Sequence, residues 1–150
     1  MTKLSLIVPC YNEEQNVEAF YARCQEVFPT DQYEVVFVND GSKDGTYKKL
    51  QKLHEEHDNI LVVNFSRNFG KESAIYAGLH YASGSYISII DADLQQDPEI
   101  VRNMVNILEE KPERLPYNNH HIKYKHYGLL TEKLIEKIKE TEDPEIKRVL

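Results

Sequence analysis

Leu4-Ser5-Leu6-Ile7-Val8-Pro9-Cys10-Tyr11-Asn12-Glu13-Glu14 takes a short apolar segment straight into a polar, carboxylate-bearing turn. Leu4–Val8 reads as a buried strand, and Asn12, with Gln15 three positions later, reads as the N-cap of a helix. That helix places Val17, Phe20, Tyr21, Cys24 and Val27 on one face at spacings of three and four, and Pro29 lies just past its end. The alternation continues outward. Tyr33–Val38 is a second strand, rich in β-branched and aromatic residues. Asp44 or Thr46 starts a second helix, with Tyr47, Leu50, Leu53 and His54 facing inward. Ile60–Val63 is a third strand, and a helix from about Lys71 to Ala82 is stopped by Ser83-Gly84. Tyr86–Ile90 is a fourth strand, and Pro98 opens a fourth helix at its favoured first-turn position. Four such alternations with continuous apolar strands predict an α/β fold: a mainly parallel, Rossmann-like sheet with helices on both faces.

The chain of 150 residues has the length of one domain and can bury a core without disulfides or zinc. With 41% hydrophobic and 29% charged residues, disordered and fibrous classes are excluded. The longest apolar runs fall far short of the ~20 residues that span a bilayer, and the N-terminus does not read as a signal peptide. Cys10 and Cys24 form no disulfide framework and suit a reducing cytosol. A net charge of −7 argues against nucleic-acid binding. Residues 111–150 hold nine basic and seven acidic side chains, while residues 1–110 hold nine and eighteen. Charge and texture change together there, so 1–110 is read as one unit and 111–150 as a helical tail.

In an open parallel sheet, ligands bind at the carboxyl ends of the strands, near the point where strand order reverses. Those ends carry Pro9-Cys10-Tyr11-Asn12-Glu13-Glu14, Asn39-Asp40-Gly41-Ser42, Ser66-Arg67-Asn68-Phe69-Gly70-Lys71 and Asp91-Ala92-Asp93-Leu94-Gln95. Neither a dinucleotide glycine fingerprint nor a P-loop follows the first strand. Carboxylates at the strand ends repel a bare diphosphate, so a nucleotide ligand needs a divalent cation; Asp91 and Asp93 are spaced to reach one Mg²⁺ or Mn²⁺. Asp40 and Glu13 are candidate acceptors for base or ribose donors. Each feature also has a structural reading: capping for Asp91 or Asp93, helix-dipole compensation for Glu13 and Glu14, and turn chemistry for Asp40-Gly41-Ser42 with Asp44-Gly45.

Read together, Leu6–Glu14, Val36–Ser42 with Asp44-Gly45-Thr46, Ser66–Lys71 and Asp91–Gln95 with Asp97-Pro98-Glu99 resemble the family 2 glycosyltransferases of GT-A fold. The nearest branch is similar to the polyprenyl-phosphate (dolichol-phosphate-type) enzymes. The resemblance implies that Pro9, Tyr11 and Glu13 bound the base and ribose, with Asp40 accepting from the base and Asn12, Ser42 and Ala92 in the same donor site. It implies that Arg67 or Lys71 meets a phosphate, that Asp91, Asp93 and Gln95 hold the metal in a DXD motif, and that Asp91, Asp93 and Lys71 are catalytic. The implied reaction is inverting, metal-dependent transfer of a hexose from a nucleotide diphosphate sugar, UDP-glucose favoured, to a polyprenyl phosphate or glycan acceptor. The implied location is cytoplasmic, peripheral at the inner face of the membrane.

The resemblance covers residues 3–110. Residues 112–128 read as a loop whose His120, His121 and His126 lack the companions of a zinc site. Leu129–Thr141 reads as an amphipathic helix and Asp143–Leu150 as a short final one. Two classes of function follow: an active hexosyltransferase, or a truncated nucleotide-sugar-binding fragment or interaction module without turnover.

Overall fold

The computed structural model describes residues 3–29 and 32–110. Strands β1 (Leu4–Cys10), β2 (Tyr33–Asn39), β3 (Ile60–Asn64) and β4 (Tyr86–Ile89) alternate with helices α1 (Val17–Val27), α2 (Thr46–Glu56), α3 (Lys71–Tyr81) and α4 (Pro98–Glu110). All three strand pairings are parallel, in the order β3-β2-β1-β4. The expected α/β architecture is therefore the observed one. The readings made for 111–150, including its helices and histidines, lie outside the described residues.

The period-two pleat sorts the core into two layers. Leu4, Leu6, Val8 and Cys10 of β1 and Val35 and Phe37 of β2 face Val17, Phe20, Cys24, Leu50 and Val101, which belong to α1, α2 and α4. On the opposite face Val36 and Val38 pack on Ala74 of α3. Ile7 points to that same face, and a Cβ on Gly78 would run into its side chain, so glycine lets α3 lie close to β1. The two central strands are thus buried on both sides, which is why they read as continuous apolar runs.

β4 differs. Its Ile87 and Ile89 pair in register with Ser5 and Ile7 yet remain 46% and 45% exposed. Burial on both faces was expected of this apolar run; the strand instead lies at the sheet's margin, beyond the cover of α3. On α4, Met104, Ile107 and Leu108 are likewise exposed.

Three local expectations change. Asn12 is not a helix cap: it is left-handed (φ 56°), and α1 begins after Asn16. Its side chain instead accepts from the Lys43 amide (2.9 Å), and its own amide donates to Ser42 Oγ (2.9 Å), so it bridges two loops about thirty residues apart. Tyr47 is exposed because Thr46 takes the inward place, its hydroxyl and amide both donating to Asp44. His54 is exposed too, its ring nitrogen 2.6 Å from the Ile60 carbonyl oxygen.

Candidate active site

β1 lies between β2 and β4, so strand order reverses at β1, and the loops after β1 and β4 diverge to open a crevice. Pairing places Cys10 beside Asn39 and Asn39 beside Asn64, which brings three loops to one level. β4 pairs only as far as Ile7–Ile89, and the Ile90 amide continues the ladder to the Ile7 carbonyl (3.0 Å). Extending that register by two sets Asp91 beside Pro9. Odd-numbered residues of β1 and β4 point to the side of the sheet that carries α3, and even-numbered ones face the larger core, where Ile90 and Ala92 are buried.

Pro9, Cys10, Tyr11, Glu13, Asp40, Lys71, Asp91 and Asp93 line one pocket of about 210 Å³. Seven of these eight are sequence-predicted site residues. Ala92 is 1% exposed and turned into the core. Asn12 and Ser42 are spent on the loop bridge. Arg67 stacks over the Phe69 ring at 4.6 Å and, like Gln95, is not part of the pocket lining.

The loop before α3 is anchored by Asp40, which is only 4% exposed. Its Oδ1 accepts from the Phe69 amide (2.7 Å) and its Oδ2 from the Gly70 amide (3.1 Å). Gly41 (φ +67°) lies so close to the Arg67–Asn68 backbone that a Cβ would overlap it. Beside them Asn39 donates to Asn64 Oδ1 (2.7 Å), and the Phe65 amide donates to the Asn39 carbonyl (2.9 Å). These contacts deliver Lys71, the first residue of α3, to the pocket. There its Nζ lies 2.7 Å from Asp91 Oδ1 and 2.9 Å from Oδ2.

Glu13 receives the Asn16 side-chain amide (2.6 Å), and its own amide donates to Thr46 Oγ1 (2.9 Å), which fixes it at the pocket wall. Glu14 faces away, accepting from the Gly45 amide (3.1 Å). Asp93 accepts from the Gln95 amide (3.1 Å) across Leu94, whose φ of 59° marks a tight turn. Neither Asp91 nor Asp93 caps α4. That role falls to Asp97, which accepts from the Glu99 amide (2.9 Å) and from the Arg23 guanidinium at 3.1–3.3 Å.

The chemistry of the pocket is set by charge. Four carboxylates and one ammonium line it, leaving three formal negative charges uncompensated. Burial, with Glu13 and Asp91 nearby, pushes the Cys10 thiol up, and burial pushes Cys24 up to about 12, so neither is a thiolate nucleophile at neutral pH. Among the described residues, no three His, Cys, Asp or Glu side chains are grouped to hold a metal by themselves. The donor set still suits one: two hard carboxylate oxygens at Asp91 and Asp93 are what Mg²⁺ or Mn²⁺ takes from a protein when phosphates and water complete the shell. Among the described residues, no helix is long and apolar enough to cross a membrane.

Sequence reading missed the Phe69 and Gly70 amides as partners of Asp40, and the pairing of Lys71 with Asp91. Glycine next to a helix start was the available signal for the first, since Gly70 (φ 102°) turns the chain into α3.

Comparison with known proteins agrees with this fold. The chain is 47% identical over 106 residues to an uncharacterized glycosyltransferase of Synechocystis sp., covering 69% of this chain and 33% of that protein. It is 42% identical over 105 residues to the bactoprenol glucosyl transferase of Shigella phage SfV, covering 69% and 34%. The chain thus spans about a third of the length of the curated relatives it matches. Among solved structures, S. aureus TarS 1-349 in complex with UDP-GlcNAc superposes with a TM-score of 0.61 at 27% identity, over 73% of this chain and 32% of that one. The mannosyltransferase PcManGT of Pyrobaculum calidifontis, in complex with GDP-Man and Mn²⁺, gives 0.57 at 33% identity, over 61% and 27%. The profile described as "Glycosyl transferase family 2" matches residues 5–143. With a parallel GT-A-like sheet, a carboxylate pocket at its switch point and these relatives, the chain belongs to glycosyl transferase family 2.

Proposed function

We propose that the pocket binds the nucleotide diphosphate end of a sugar donor, UDP-glucose, for inverting transfer of the hexose to a polyprenyl phosphate at the cytoplasmic membrane surface. The observation that carries this reading is the convergence of Pro9, Tyr11, Glu13, Asp40, Lys71, Asp91 and Asp93, from four separate strand ends, on one crevice. The excess of carboxylates supports it indirectly: a diphosphate enters such a site only with a divalent cation. Relatives named for bactoprenol glucosylation support the lipid acceptor, and neighbours solved with UDP-GlcNAc or with GDP-Man and Mn²⁺ support the donor class and the ion.

In this reading Pro9, Tyr11 and Glu13 flank the base and ribose. Asp40 acts chiefly by holding the 69–70 amides, which sets the position of Lys71. Asp91 and Asp93 would hold Mg²⁺ or Mn²⁺, which when bound supplies positive charge for the departing diphosphate. Lys71, and Arg67 from the neighbouring loop, supply further positive charge toward phosphate oxygens. The acceptor phosphate is already anionic and attacks the anomeric carbon as the bond to the diphosphate breaks. It therefore needs no strong general base, which fits a pocket whose described residues include no histidine.

A second reading, donor binding without transfer, is favoured by the bare face of β4, where Ile87 and Ile89 stand exposed. In either case residues 1–110 form the donor-binding unit, and the family match runs from residue 5 to residue 143. Calorimetric titration of UDP, UDP-glucose and GDP-mannose, with and without Mn²⁺, tests the shared part. Mn²⁺-dependent binding that Asp93→Ala abolishes is expected; no binding of any nucleotide under any condition sinks the donor-site assignment. Transfer of glucose to a polyprenyl phosphate separates the two readings.

A further inference from the structure

The Lys71 ammonium occupies the carboxylate that the donor-site reading gives to a divalent cation. Its Nζ straddles both oxygens of Asp91, at 2.7 and 2.9 Å, inside the pocket that also holds Glu13 and Asp93. A divalent ion binds those oxygens less tightly while an ammonium sits on them, because two cations on one carboxylate repel at contact distance. The pair is also one that can be exchanged. The Lys71 and Asp91 side chains are 57% and 48% exposed, and ion pairs so open to water contribute little stability. Lysine suits the role, being a compact charge on a four-carbon stem rather than a rigid fork. Its backbone does not move with it, since Asp40 pins the two preceding amides.

We propose that Lys71 is a placeholder cation. It neutralises Asp91 while the site is empty, then transfers to the donor diphosphate as the divalent ion takes Asp91, so that ion and nucleotide enter as a pair. The inference rests on the donor-site reading of the pocket. It follows from charge balance in each state. The ion alone competes with the ammonium for Asp91 and costs it that partner. The nucleotide alone draws the ammonium away and leaves Asp91 bare beside Asp93 and Glu13. Only with both bound do Asp91, the divalent ion, the ammonium and the diphosphate each have a partner. Binding is then cooperative, and by linkage each ligand strengthens the other by the same factor.

The test is Mn²⁺ titration of the 150-residue chain, following the free-ion electron paramagnetic resonance signal with and without saturating UDP. Removing the placeholder in Lys71→Met should tighten binding of Mn²⁺ alone roughly tenfold, and the enhancement of Mn²⁺ binding by UDP should shrink by a similar factor. Lys71→Gln carries the same comparison should the methionine variant fail to fold. Lys71→Arg, whose guanidinium grips both carboxylate oxygens, should keep Mn²⁺ alone at least as weak as in the unsubstituted chain. If the unsubstituted chain binds UDP in a Mn²⁺-dependent way but Lys71→Met and Lys71→Gln leave binding of Mn²⁺ alone unchanged or weaker, the placeholder role is overturned. If the unsubstituted chain shows no Mn²⁺-dependent UDP binding at all, the donor-site reading itself fails, a distinct outcome that removes the inference with it.

Discussion

The loop after β2 and the loop after β4 each place an aspartate at a strand end, and the two aspartates are held by opposite means. Asp40 is buried, with both oxygens taken by backbone amides of Phe69 and Gly70. Asp91 is half-exposed and held by the end of a flexible lysine side chain. Backbone amides cannot be exchanged for another ligand without moving the chain, whereas an ammonium in water can. The first loop is therefore framework and the second is working surface. In sequence the two look alike, an acidic residue following an apolar run.

Substitutions that intrude on the framework loop should have the largest effect. In Gly41→Ala an alanine must adopt φ +67°, and its methyl group would overlap the Arg67–Asn68 backbone. The left-handed strain and the forced shift together should cost about 4 kcal/mol, read as a lowered urea midpoint. Asp40→Ala leaves two partly buried amides without partners and should cost about 3 kcal/mol. A loss below about 1 kcal/mol in both would show that the loop finds other acceptors, and the contrast between the two loops would collapse.

The working loop should behave in reverse. Asp91→Ala removes one exposed ion pair and should change stability by less than about 1 kcal/mol. Mn²⁺-dependent UDP binding should nevertheless be lost in calorimetry, because one of two candidate metal ligands and the partner of Lys71 disappear together. Equal stability losses for Asp40→Ala and Asp91→Ala would break the comparison.

The strand ends were legible because they depend only on local period: β1, β2 and β3 read as apolar runs, and each run is followed by its polar loop. Long-range pairing was not legible. Asn12 looks like a cap from its neighbours, yet its partners are Ser42 and Lys43, and nothing near residue 12 announces them. Asp40 could be placed at a strand end, but not its engagement with amides some thirty residues away. Ala92 stands within the Asp91–Asp93 motif and reads as part of it, whereas the pleat turns it into the core. Ile87 and Ile89 look as buried as Ile7, because the apolar run does not say which strand lies at the margin.

The smallest expected effect compares the helix starts that follow the two loops, and it separates them by salt. At α2, burial works against the Asp44 charge, but the Thr46 hydroxyl and amide and the Glu14 amide hold its carboxyl below the ordinary 3.8. At α4, the Glu99 amide and then the Arg23 guanidinium hold Asp97 below the same value. A carboxylate with a depressed folded pKa stabilises the fold above its unfolded value, and that contribution is lost as pH falls through the lower, folded one. Urea midpoints measured between about pH 6 and pH 2 should therefore fall on the acid side, and Asp44→Asn and Asp97→Asn should each flatten that fall. Asp44 is held by neutral donors, so its share should persist in about 0.5 M NaCl, whereas the share of Asp97, which leans on a half-buried but still solvent-accessible arginine, should shrink. Equal salt sensitivity at both sites would mean that the Arg23 pair adds nothing beyond the capping bond, leaving the two helix starts physically alike.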